Sequence, residues 1–176
     1  MELCVEHIAP GWQTRPFTEA DIPAILKLCR GNPAYYRHMG MEPTAGNLRE
    51  VFNALPPGKG PEDKYFLGFF RGGDLAALLD LVAAYPDKET AFIGWFMVEK
   101  SLQGAGVGTG LVTDLLAFLA EAGFRRVRLG YVIGNRESEA FWRKNGFRPT
   151  GQEIEGPGYR AAVAERTLGK RDGGQA

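Results

Sequence analysis

A run of branched and aromatic residues, TAFIGWFMV, gives way to the alternate glycines Gly104, Gly106, Gly108 and Gly110, and these lead straight into an apolar pattern of helical period. Glycine costs a helix interior roughly 1 kcal/mol relative to alanine, so a chain that needed only a helix would not place glycines here. From Val107 onward Leu111, Val112, Leu115, Phe118, Leu119 and Ala122 keep helical spacing until Gly123 stops it. The stretch therefore reads as a strand ending near Val98, a bare-backbone loop, and a helix start whose free N–H groups and dipole favour an anion. With side chains removed, phosphate oxygens can touch those N–H groups directly, and the expected visitor is a phosphate or diphosphate.

Two familiar phosphate loops do not fit. The dinucleotide fingerprint G-x-G-x-x-G meets Thr109 where Gly104 and Gly106 would need a third glycine, and Leu111 where Gly106 and Gly108 would. The nucleotide loop needs Lys-Ser or Lys-Thr after a glycine, and none follows here. What remains is a Q-x-x-G-x-G pattern formed by Gln103, Gly106 and Gly108.

The rest of the chain builds an α/β order around this unit. A first strand falls within CVEHIAPGWQTRPF, and Thr18 caps a helix over residues 19–30 with Ile22, Ile25, Leu26 and Leu28 at helical spacing. GNPAYYRHMGMEPT carries breakers and adjacent tyrosines, AGNLREVFNAL reads as a short helix, and PPGKGPEDK as a surface loop. Two apolar runs flank RGGD, the composition of a hairpin turn. RRVRLGYVI alternates, with Val127, Leu129, Tyr131 and Ile133 on one face. NRESEAFWRKNGF is a helix between Asn135 and Gly146, and the chain closes with a hairpin turning at GPG. The expected order is strand, two helices, three strands, helix, strand, helix and two strands around one mixed sheet.

Composition sets outer bounds. A chain of 176 residues can bury one core, so residues 1–170 are expected to form a single domain and residues 171–176 a frayed tail. Its 21 Lys and Arg balance 21 Asp and Glu, leaving no overall field to gather nucleic acid or an anionic membrane. Two cysteines, Cys4 and Cys29, are too few for a disulfide framework, and no segment approaches the roughly 18 apolar residues of a membrane span. The N-terminus lacks the basic-then-apolar build of a signal peptide. A cytoplasmic protein without metal, nucleic-acid or membrane partners is expected, as a monomer or homodimer.

FIGWFMVEKSLQGAGVGTGLVTDLLAFLAEAGF followed by VRLGYVIGNRESEAFWRKNGF resembles the acyl-CoA-binding half of the GCN5-related N-acetyltransferase (GNAT) superfamily, over roughly residues 92–151. The resemblance implies a single mixed, mostly antiparallel sheet flanked by helices, with acetyl-CoA as co-substrate and a small-molecule or peptide amine as acceptor. It implies that the backbone of Phe96 and Val98 pairs with pantetheine. It further implies that Gln103, Gly104, Gly106, Val107, Gly108 and Thr109 hold the diphosphate, and that Asn135 and Phe141 lie along the pantetheine arm. Asn135 also suits a helix cap and Phe141 ordinary packing. Tyr35, Tyr36, Arg37 and His38 fall where the family builds its acceptor pocket, and Arg143 and Lys144 either reach the coenzyme's 3′-phosphate or form a solvated face.

Acyl transfer in that family runs by direct attack of a neutral amine on the thioester. The N–H of Val98, at the strand end, is the implied donor to the developing oxyanion. Alkyl amines titrate near pH 10, so a base is useful. The family's usual Glu is missing from AFIGWFMV, and Trp142 stands where a Tyr is usual. Asp80, a carboxylate inside the apolar run LAALLDLVAAYP, is the candidate base, against the alternative of a solvated or paired carboxylate. Tyr131 is a candidate acid, against a core role. A non-catalytic acyl-CoA-binding or regulatory module stays open beside the enzyme.

Overall fold

The computed structural model describes residues 3–169; the expected tail over residues 171–176 lies outside them. Among the described residues, seven strands form one sheet: β1 (Gln13–Pro16), β2 (Lys64–Arg71), β3 (Asp74–Val82), β4 (Thr90–Val98), β5 (Arg126–Val132), β6 (Arg148–Gly156) and β7 (Tyr159–Thr167), in the order β1-β2-β3-β4-β5-β7-β6. Every neighbouring pair is antiparallel except β4 and β5. Among the same residues five helices flank it: α1 (Ile22–Arg30), α2 (Pro33–Met39), α3 (Ala45–Asn53), α4 (Val107–Glu121) and α5 (Arg136–Lys144). The mixed, mostly antiparallel sheet expected from the sequence is present.

Strand alternation divides the core between the two faces. Leu79 and Leu81 of β3, Ile93 of β4 and Leu129 of β5 meet Leu111, Leu115 and Leu119 of α4, with Trp142 of α5 on the same side. On the other face Phe66, Phe70, Leu78 and Met97 meet Ile22, Ile25 and Leu28 of α1, with Leu48 of α3. Each fully buried Leu or Ile contributes about 1.5–3 kcal/mol of transfer free energy, so both helical layers are held by burial rather than by propensity.

Three local expectations are corrected. The N-terminal half has three helices, not two, because Pro33 opens α2 at its first turn and Gly40 ends it in the left-handed conformation at φ 65°. The first helix is preceded by a separate tight turn, Glu19–Asp21, where the Asp21 carboxylate accepts the Thr18 N–H at 2.8 Å and two Arg15 N–H groups at 2.7 and 2.9 Å. Ile133 does not continue the buried face of β5; it lies just past the strand end and is 45% exposed.

One irregularity shapes the whole site. β3 and β4 pair Asp80 with Trp95 and then Leu81 with Ile93, so Gly94 is an extra residue bulged out of the ladder. At the same level β4 leaves β5: the parallel register runs from Thr90–Arg126 to Ile93–Leu129 and no further. β5 continues against β7 through Gly130, Tyr131 and Val132. The sheet splits there into two arms.

Candidate active site

The split leaves half of β4 with an open edge. Glu99 donates its N–H to Ala76 O at 2.8 Å, which makes the opposed residues Ala77 and Val98 a non-hydrogen-bonded pair. By strand alternation, Val98 and Phe96 direct their backbone N–H and C=O groups away from β3 and into the gap. Neither has a β5 partner in the register.

Phe96 and Phe141 of α5 face each other across this gap with ring centroids 6.0 Å apart and planes 14° from parallel. Trp142, 6% exposed, packs edge-on against Phe141 at 5.0 Å and fixes it from behind. Asn135 is drawn into the α5 N-terminus by accepting the Ser138 N–H at 3.1 Å, and it also lines the gap. It is cap and cleft wall at once.

The glycines separate into distinct roles. Gly104 and Gly106 have φ of 79° and 82°, a region L side chains rarely occupy, and a Cβ on either would meet nothing. They are required by backbone shape. Gly108 is required by packing: a Cβ there would lie 3.2 Å from Phe141 Cε2 and 3.3 Å from Val98 Cγ2. Gly110 has neither constraint. No side chain caps α4, and its first ladder bond is from Gly110 N–H to Gly106 O at 2.9 Å. The N–H groups of Val107, Gly108 and Thr109 are thus left without helical acceptors at the loop.

These elements enclose a cleft of about 540 Å³. Phe96, Val98, Gln103, Gly104, Gly106, Gly108, Thr109, Asn135 and Phe141 all line it, so nearly every residue expected to touch the coenzyme is brought to one place; Val107 stands beside them in the helix's first turn. The side chain of Gln103 turns back to the end of β4. Its Nε2 donates to Val98 O at 2.9 Å and to Asn32 Oδ1 at 2.7 Å.

The opposite wall is α2. Tyr35 stacks on Trp95 (6.2 Å, 21°), and Trp95 on Phe66 (6.2 Å, 18°), which seats the helix on β4. Its C-terminal Gly40 lies close to the β6–β7 turn, where a Cβ would be 3.9 Å from Gly158 O. Tyr35 and Arg37 line the cleft. Burial pushes the Tyr35 hydroxyl up, with Tyr159 adding to the effect. Tyr36 turns inward to the Cys29 thiol, which burial raises to about 11, and His38 is exposed outside the cleft. On α5, Lys144 lines the cleft while Arg143 pairs with Glu139 at 3.0 Å.

The two side chains expected to act as base and acid are not brought to the cleft. Asp80, 8% exposed, lies on the α1–α3 face and is gripped by Lys64 Nζ at 2.7 and 2.9 Å. Burial raises its carboxyl and Lys64 opposes that rise. Lys64 donates also to Ala54 O at 2.9 Å. Tyr131 belongs to the core on the α4–α5 face; burial raises its hydroxyl, with Glu139 adding and Arg143 opposing. Conversely, sequence reasoning missed Asn32, a buried residue at the α1–α2 corner whose Nδ2 donates to Leu28 O at 3.0 Å and Val98 O at 3.2 Å.

Residues 32–147 match the Acetyltransferase (GNAT) family. The fold is shared with an acetyltransferase from Thermus thermophilus, at 24% identity over 89% of this chain and 97% of that one with a TM-score of 0.70. It is shared too with an acetyl transferase from Salmonella typhimurium that modifies the N-terminal serine of 50S ribosomal subunit protein L7/L12, at 21% identity, 92% and 98% coverage and TM-score 0.71. The ribosomal-protein-S18-alanine N-acetyltransferase from Escherichia coli aligns at 14% identity over 94% and 99% with TM-score 0.66. Among curated proteins no match to the sequence is found.

Proposed function

The chain belongs to the acetyltransferase (GNAT) family, and from that premise we propose that it carries an acetyl group from acetyl-CoA to the amine of a small molecule or peptide by direct attack. The observation that carries this reading is the open edge of β4, where the N–H and C=O of Phe96 and the N–H of Val98 face a cleft that begins at the bare N-terminus of α4. Pantetheine amides fit that edge as a further strand would, and the diphosphate fits the N–H groups of Val107, Gly108 and Thr109 with the backbone of Gly104 and Gly106. Phe96, Phe141 and Asn135 bound the arm between.

In this reading the thioester carbonyl lies at the Val98 N–H, which takes the developing negative charge. One such donor is worth about 2.7–4 kcal/mol of barrier, or roughly 10²–10³ in rate. The amine approaches from the α2 side. With Asp80 held by Lys64 away from the cleft, water rather than Asp80 takes the ammonium proton. The thiolate of a group titrating near 8.5 leaves without a dedicated acid, so Tyr131 has no proton to supply.

Calorimetric titration with coenzyme A and acetyl-CoA, beside NAD and ATP, tests the site. Selective binding of the coenzyme A pair, lost in Gly106→Glu, supports it; no binding of either coenzyme refutes it. Thiol release over a panel of amines then decides between the enzyme and an acyl-CoA-binding module without turnover, the rival that gains from the placement of Asp80.

A further inference from the structure

Asn32 is a polar side chain enclosed at the meeting point of three elements that do different work. Its Nδ2 donates to Leu28 O of α1 and to Val98 O of β4 at 3.0 and 3.2 Å, while its Oδ1 accepts Gln103 Nε2 of the glycine loop at 2.7 Å. Gln103 Nε2 closes the triangle on Val98 O at 2.9 Å. Asn32 is 8% exposed, precedes the first residue of α2 and lines the cleft. Two side-chain amides therefore meet on the carbonyl of the residue whose N–H faces the gap.

The chemistry of that carbonyl explains why two donors matter. In an extended strand the N–H and C=O of one residue point to the same side. Left bare, Val98 O would be an unpaired acceptor and the nearest negative dipole to any oxyanion held by the Val98 N–H. Donation from Asn32 and Gln103 satisfies it, draws its charge away from the gap and fixes the strand end. The same bonds tie the wall formed by α2 to the loop that receives the diphosphate.

We propose that Asn32 is a positioning residue: through Val98 it sets the oxyanion donor, and through Gln103 it couples filling of the coenzyme loop to the placement of α2 on the acceptor side. The first half rests on the acyl-transfer reading above; the second does not. Asn32→Asp keeps the shape but replaces the donor with a carboxylate facing Val98 O, and Asn32→Ala removes it.

The test pairs kinetics with amide hydrogen exchange. With the best acceptor of an amine panel, Asn32→Asp is expected to lower kcat by about ten- to a hundredfold, less than the roughly 10²–10³ of losing an oxyanion donor outright because the Val98 N–H itself remains, while calorimetric affinity for coenzyme A stays close to wild type. Asn32→Ala combined with Gln103→Ala is expected to depart from the sum of the single effects, as for residues that share one hydrogen-bond network. Coenzyme A is expected to slow exchange across residues 33–39 in wild type and not in Asn32→Ala. Unchanged kcat, a parallel fall in coenzyme affinity, or additive single effects overturn the positioning role. Exchange in α2 that ignores coenzyme A in wild type overturns the coupling, and an absence of turnover by wild type with every amine removes the acyl-transfer reading while exchange still decides the coupling.

Discussion

Asp80 lies directly against Gly94: a Cβ on that glycine would stand 3.0 Å from Asp80 Oδ2. Gly94 is also the bulged residue at which β4 parts from β5. Gly94→Ala therefore presses either on a carboxylate already fixed by Lys64 or on the bulge itself. The expected cost is about 1–3 kcal/mol in urea unfolding, together with weaker binding of coenzyme A by calorimetry as the open edge shifts. Full retention of both properties would show that the bulge does not depend on this contact.

The Lys64–Asp80 pair, with side chains 5% and 12% exposed, predicts a pH-dependent rescue. Lys64→Met leaves a buried carboxylate unpaired, a loss of about 3–5 kcal/mol at neutral pH. The sign follows from burial, which raises the carboxyl of Asp80 above its unfolded value while Lys64 opposes the rise. A raised carboxyl favours the protonated folded state, so the stability it confers is complete below the unfolded value and is lost as pH rises through the folded one. Removing Lys64 moves the folded value further up. Urea midpoints should show Lys64→Met closer to wild type at about pH 4, near the ordinary Asp value and below the raised folded one, than at pH 7.

Gly108→Ala and Gly110→Ala, neighbours on α4, should part company. The first places a methyl 3.2–3.3 Å from Phe141 and Val98 and is expected to weaken coenzyme A binding by displacing one wall of the gap. The second enters open space and should stabilise the helix by up to about 1 kcal/mol with binding unchanged. Thermal melts and calorimetry on the two variants give both comparisons.

Asp21, whose carboxyl Arg15 holds down at about 2, with the Thr18 N–H assisting and burial opposing, should stabilise the approach to α1 at neutral pH. A depressed carboxyl contributes stability above its unfolded value and loses it as pH falls through the folded one. Asp21→Asn is therefore expected to cost about 1 kcal/mol at pH 7, with the difference from wild type shrinking between about pH 4 and pH 2 as Asp21 protonates.

What the sequence disclosed was what local pattern can carry. The hairpin at Gly72 and Gly73, the end of β4 at Val98 and the start of α4 at Val107 follow from glycine placement and apolar period. α2 was hidden because its face is aromatic and mixed, yet Asn32, Pro33 and Gly40 bracket it with the residues that open and close helices. Asn32 itself was illegible: its partners Val98 and Gln103 lie 66 and 71 positions away, a distance that only the folded chain closes. Asp80 misled for a related reason. A lone carboxylate in an apolar strand says that it must be compensated, and whether by Lys64 or by a substrate depends on cross-strand register.

The four-residue register that joins β4 to β5, Thr90–Ile93 on Arg126–Leu129, makes the sheet a plank split along most of one seam. A guest that bonds to the free edge of β4 supplies rungs the chain lacks and fastens the two arms. Its affinity is then recoverable from melting alone: at a hundredfold excess over Kd the folded state gains about 2.7 kcal/mol, so the midpoint of unfolding should climb with each increment of coenzyme, even with no acceptor in solution.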